Sequence, residues 1–123
     1  MTIPRVVIVA YRPKPGKQDM LLALIRDHHP YLYSEGLATE MEPVIMRSAD
    51  GAMIEVFEWA SSAAIEQAHT HEGVQKMWAR FAECCDYVPI GQLAEAGKIF
   101  SEFEPVEIRF QPSPQGAPDE REE

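Results

Sequence analysis

The 123-residue sequence predicts an α+β domain, with one antiparallel sheet carrying helices on one face. Three observations carry that expectation. Residues 5–11, RVVIVAY, form a β-branched and almost unbroken apolar run. Leu21, Leu24, Ile25, His28 and Leu32 then recur at the spacing of one helix face. Finally, two β-rich runs flank Ala49-Asp50-Gly51, where Asp-Gly suits a hairpin turn.

Taken in order, the first strand covers RVVIVAY and ends at RPKPG, where two prolines and a glycine mark a loop. A helix follows from Lys17. Pro30 removes a backbone donor and is expected to bend or end that helix near residue 29, with Gly36 as its stop. The hairpin comes next. In its second strand Met53, Glu55, Phe57 and Trp59 share one face, while Ile54, Val56 and Glu58 share the other. Ser61 or Ser62 can cap a helix starting at Ala63, which pauses at HTHEG, where Thr70 can cap a new start and Gly73 loosens the chain. The second helical piece puts Val74, Met77, Trp78, Phe81, Cys85 and Val88 on its apolar face, and Pro89 and Gly91 close it. KIFSEFEPVEIRF supplies the last strand, or two short ones around Pro105. Residues 1–110 thus form one domain in the split βαβ, ferredoxin-like order βαββαβ. Residues 111–123, QPSPQGAPDEREE, are expected to be a disordered acidic tail.

The first strand is apolar on both faces, yet only one side can receive helices. The sheet of a second subunit is the economical cover for the other side, and a chain this short gains from pairing. Hydrophobic residues make up 46% of the chain, enough for a core. The formal net charge is −9, with no basic run, so nucleic acid and anionic membrane surfaces are poor partners. The tail supplies −3 of it, from Asp119, Glu120, Glu122 and Glu123 against Arg121. Cys84 and Cys85 are the only cysteines and are adjacent, which disfavours a disulfide and points to free thiols in a reducing compartment. The apolar run near the N-terminus is too short to span a membrane and lacks a signal-cleavage pattern, so a cytoplasmic location is expected.

VVIVAYRPKPGKQDMLLALIRDHHPYL together with MIEVFEWASSAAIEQAHTHEGVQKMWARF resembles the antibiotic-biosynthesis-monooxygenase type of the dimeric α+β barrel superfamily. The shared features are the strand-PxPGK-helix opening, a strand ending Glu58-Trp59, and a short helix ending Ala68-His69 with His71 just beyond. The resemblance covers roughly residues 3 to 108. It implies a homodimer whose sheets close into a barrel, and an apolar cleft in each subunit between sheet and helices. Several members oxidise aromatic polyketides without metal or flavin, because a deprotonated phenol can pass an electron to oxygen itself. The protein then supplies an apolar pocket, a base or hydrogen-bond partner, and exclusion of water. A heme-degrading relative uses an Asn on the first strand, a Trp ending the third and a His on the next helix. Trp59 and His69 occupy the latter two places, but the sequence has no asparagine, and Val9, Ala10 or Tyr11 stands at the first.

On this reading His69, His28 and Tyr11 are the candidate catalytic residues, and Trp59, Met77, Trp78 and Phe81 the candidates to flank a small apolar or aromatic molecule. No cofactor and no metal are expected, since adjacent His28 and His29 diverge on a helix and His69 and His71 lie two apart. Imidazole titrates near neutrality, which suits a general base for a phenol. Each candidate also has a structural reading. His69 can cap the end of its short helix, and His28 can be a core histidine whose ring is satisfied. The aromatics can be plain core. His29 is expected to point to solvent, and Glu55 to pair with an Arg such as Arg47 across the hairpin, or else to be a buried carboxylate. A non-catalytic ligand-binding or structural dimer is the alternative function, with heme binding behind it.

Overall fold

A computed structural model describes residues 2–107. Strand β1 (Arg5–Pro13) runs into a loop in which Gly16 takes φ +76°, and helix α1 (Gln18–Ser34) follows. The hairpin is β2 (Val44–Arg47) and β3 (Met53–Trp59). Two helices come next, α2 (Ser62–Ala68) and α3 (Glu72–Cys84), and then strands β4 (Cys85–Val88) and β5 (Glu104–Pro105). All pairings are antiparallel, in the order β4-β1-β3-β2-β5. The described residues therefore form an α+β fold, with a five-stranded antiparallel sheet and three helices.

Alternation along β1 divides the core in two. Val7, Val9 and Tyr11 face the helices, where Leu21, Leu24, Ile25, Leu32, Val74 and Phe81 pack against them together with Met53, Phe57 and Trp59. Ala10 and Ile54 face the other way and are covered by Leu93, from a pair of short 3-10 turns at Ile90–Gln92 and Ala94–Gly97. That cover is local. Val6 and Ile8, on the same outward face, remain 56% and 53% exposed.

Three expectations fail for identifiable reasons. Helix α1 does not end near residue 29 but continues through Pro30 to Ser34, and Gly36 is its stop, as expected. Its last turn is held by the fully buried Leu32 and by a Schellman closure, in which Leu37 N–H reaches Leu32 O at 2.9 Å and Gly36 N–H reaches Tyr33 O at 3.0 Å. Gly36 takes φ +76°, the left-handed position that this closure needs. Leu37 packs back into the same core cluster as Leu32, so the bond lost at Pro30 is outweighed. The second error lies at the end of α3. The helical period of the sequence runs on through Cys85 and Val88, but the helix stops at Cys84 and the chain turns extended at Cys85 to pair with β1, Tyr87 opposite Tyr11. The third follows from it. The strand beside β1 is Cys85–Val88, and among the described residues from 98 to 107 the one strand is the two-residue β5, on the opposite edge beside β2. Residues 108–110 and the acidic tail lie outside the described residues.

The caps and turns follow simple chemistry. Ser61 Oγ accepts the Ala64 N–H at 3.0 Å and begins α2 one residue earlier than expected. His71, and not Thr70, caps α3: its Nδ1 accepts the Val74 N–H at 3.2 Å, which leaves Nε2 to donate to Glu35 at 2.9 Å. Gly73 makes room instead of loosening the helix, because a β-carbon there would collide with the Tyr31 hydroxyl. In the hairpin turn Gly51 takes φ +98°, and the Asp50 carboxylate accepts from Ser48 Oγ, the Ala52 N–H and Arg12. No helix among the described residues is long and apolar enough to cross a membrane.

The Ser48 hydroxyl first, then Arg12 and the Ala52 N–H, hold the Asp50 carboxyl at about 2 instead of 3.8. A depressed acid stabilises the fold fully above its unfolded value and ceases to do so as pH falls through about 2. Asp50→Asn should therefore cost less than about 1 kcal/mol at neutral pH, because the turn is solvent-screened. Urea denaturation of the two proteins should give curves that converge below pH 2.

Candidate functional site

Four side chains from four elements meet beneath α1. The inward face of β3 presents Glu55 between Met53 and Phe57, and α1 lays His28 over it. Tyr11 comes from β1, diagonal to Glu55 in the strand register, and Trp78 from α3. The Tyr11 hydroxyl donates to Glu55 Oε1 at 2.6 Å. His28 Nδ1 lies 3.0 Å from Oε1 and 3.1 Å from Oε2 of the same carboxylate. Trp78 Nε1 lies 3.0 Å from His28 Nε2. Glu55 is 0% and His28 3% exposed, while Trp78 is half-buried.

The hydrogen-bond pattern assigns the histidine tautomer. An indole N–H can only donate, so His28 Nε2 accepts and carries a lone pair. The ring proton is then on Nδ1, donated to Glu55, in a charge-assisted bond. Aromatic rings enclose the group. Phe57 and Phe81 meet the His28 ring edge-on at 5.3 and 5.1 Å, and Phe81 stacks on Tyr11 at 5.1 Å. Burial, and after it the Glu55 carboxylate, push the Tyr11 phenol well above its ordinary 10.0, so this hydroxyl stays a donor.

Of the three expected catalytic residues, the structure brings together His28 and Tyr11, on a carboxylate they share. His69 is elsewhere. It is exposed at the C-cap of α2, where its Nδ1 donates to Ile65 O at 2.9 Å, the helix-capping role. It meets the cluster through the Trp78 ring, edge-on at 5.5 Å. Trp59 and Phe81 are core, and Trp59 stands edge-on to Trp78 at 6.4 Å. Met77 is half-buried between the two core clusters.

Of the two expectations for Glu55, the buried carboxylate holds and the Arg47 pair does not. Arg47 instead reaches Glu104 on β5, at 3.4 Å, because Arg47 sits at the exposed end of β2 while Glu55 lies under a helix. The signal was present in three polar groups, Tyr11, His28 and Glu55, each alone on an apolar face. Only the strand register shows that they answer one another.

His29 also departs from expectation. It is 8% exposed, its Nε2 donates to Thr39 O at 2.8 Å, and its ring stacks on Tyr33 at 6.2 Å. Both rings border a groove of about 1200 Å³ between α1 and the β2–β5 edge. None of the seven expected site residues lines it. Its floor includes Ile25 and Ile45, which on their other side pack in the cluster that holds Tyr11. The free thiols Cys84 and Cys85 are buried, and burial pushes both up, Cys85 to about 12, so neither is a ready nucleophile. No group of three or more metal-ligating side chains occurs among the described residues.

No family model, curated protein or solved structure matches this chain.

Replacing Glu55 by Ala strands the Tyr11 hydroxyl and the His28 N–H in the interior, and should cost about 3 kcal/mol in chemical denaturation. Glu55→Gln keeps an acceptor and the volume, and should cost about 1 kcal/mol. Equal losses for the two variants would mean that the volume and the acceptor kept by Gln contribute nothing, and that the whole loss comes from the carboxylate's charge.

Proposed function

We propose that this chain is the subunit of a homodimeric, ferredoxin-like α+β barrel, an enzyme of the antibiotic-biosynthesis-monooxygenase type that acts on a small phenolic or polyketide-like aromatic without metal or flavin. The observation that carries the reading is the buried Glu55–His28 pair. A carboxylate and an imidazole lie in an otherwise apolar interior between sheet and helices, where desolvation makes them costly as packing alone. Within the order β4-β1-β3-β2-β5, the run β4-β1-β3-β2 supports the split βαβ reading. Val6 and Ile8 leave an apolar stripe open on the other face, suited to a second copy's sheet.

A second reading has its own support. The polar contacts of the cluster close on one another, as in a structural network, and the open groove lies apart from it. A non-catalytic dimer that holds an apolar molecule in that groove fits those facts.

Oxygen uptake across a panel of phenolic aromatics separates the two. The enzyme reading expects a compound whose turnover falls about 100-fold or more in His28→Gln and changes by less than about threefold in His69→Ala. Equal turnover in wild type and His28→Gln would remove the catalytic assignment. Light scattering at micromolar concentration should give a dimer for the wild type and a monomer for Ile8→Glu. A wild-type monomer would contradict the barrel.

A further inference from the structure

We propose that His28 is a general base held in its working tautomer by Glu55, and that the Trp78 indole N–H occupies the place a substrate hydroxyl takes on that base. The inference rests on the enzymatic reading above and specifies its site.

Glu55 presents both carboxylate oxygens to His28 Nδ1, at 3.0 and 3.1 Å, so the ring is gripped from one side. Tyr11 donates to Oε1 and fixes the carboxylate in turn. With Nδ1–H committed, the ring's one basic lone pair is at Nε2, directed at Trp78. A proton arriving there makes an imidazolium whose positive charge faces a buried carboxylate. This is the division of labour between the acid and the histidine in hydrolytic triads.

Trp78 is the member of the cluster that reaches the surface. Its ring is half-buried, bordered by the edge of Trp59 at 6.4 Å and by the exposed His69 at 5.5 Å, while Glu55, His28 and Tyr11 are enclosed beneath. An indole is a flat apolar body with a single donor. Whatever displaces it must resemble it: the vacated space is flat and apolar, and a bare Nε2 in the interior is costly. A phenol meets both demands, whereas its methyl ether fills the space without supplying the donor. In the step itself the phenolic O–H bond breaks, the proton forms a bond to His28 Nε2, and the electron pair stays on the phenolate oxygen. Glu55 is a positioning residue, and His28 the catalytic one.

Two measurements test this. Nitrogen-15 spectra of histidine-labelled wild type should show His28 protonated on Nδ1 and bare on Nε2. Protonation on Nε2 would overturn the assignment, and this reading needs no variant to fold. The second uses 4-nitrophenol as the probe and 4-nitroanisole as its donor-free control. Trp78→Phe removes the competing N–H and shrinks the ring, so it should bind 4-nitrophenol at least about tenfold more tightly than wild type, with absorbance shifted to the phenolate band. In that background Glu55→Gln should return the bound dye to its neutral band, and His28→Gln should abolish binding. Equal binding of phenol and ether by Trp78→Phe, or unchanged binding after His28→Gln, would refute the proposal. Were that to happen while wild type still oxidised a phenolic compound, the placement would fall and the enzymatic reading would stand. Phenolate binding in Trp78→Phe, with no compound ever turned over, would keep the placement and remove the oxidative activity.

Discussion

The carboxylate of Glu55 constrains much of the molecule around it. An acid at the centre of a sheet, under a helix, persists only if donors surround it, and here two side chains from distant parts of the sequence do so. Each requirement propagates. Tyr11 must lie on the inward face of β1, which fixes the parity of that strand and turns Val6 and Ile8 outward. His28 must sit directly above, which fixes the rotation of α1. Trp78 must come close enough to satisfy the far nitrogen of His28, and this fastens α3 to α1 at their crossing. A ladder of purely apolar contacts would tolerate sliding; three directional bonds on one carboxylate and its histidine do not.

The parts of the fold legible in the sequence are those where local and tertiary preferences agree. β1, the front of α1 and the Asp50-Gly51 hairpin each combine a clear period with turn chemistry, and each stands where the pattern puts it. Failures cluster where tertiary contacts overrule a local rule. Pro30 should stop a helix, yet Leu32, Gly36 and Leu37 form an ending that is better satisfied one turn later. Cys85 and Val88 continue the apolar rhythm of α3, and no glycine or proline announces the break between Cys84 and Cys85. The exposed edge of β1, with Ala10, Tyr11, Arg12 and Pro13 awaiting partners, pulls that stretch into the sheet. The availability of a strand edge is invisible to any window of local sequence.

The site was legible as a set of anomalies and illegible as an arrangement. Tyr11, His28 and Glu55 are polar residues on apolar faces, which the alternation of strand and helix exposes at once. Pairing Glu55 with Arg47 is the natural guess for a hairpin, where cross-strand partners lie close. It fails because the face that carries Glu55 is roofed by a helix that supplies its own donor. His69 stands ten residues after Trp59, the spacing that suggests a shared pocket, but its position at the last turn of α2 commits Nδ1 to the Ile65 carbonyl. Spacing identifies the crossing of α2 over the sheet, and the crossing explains the cluster of Trp and His without assigning chemistry to every member.

Successive residues on α1 then divide the helix between two environments. His28 turns to the enclosed carboxylate, and His29, about 100° further round, turns to the groove, where Thr39 O holds one nitrogen and Tyr33 covers the ring. The partition between these environments is thin. Ile45 stands directly across the strand pair from Glu55 and also floors the groove, and Ile25 does the same from the helix side. Any molecule seated in the groove therefore presses on the apolar layer that keeps water from the carboxylate. Open concavity and buried chemistry are separate sites by their lining, but they share one wall, whose Ile25 and Ile45 are packed from the core side.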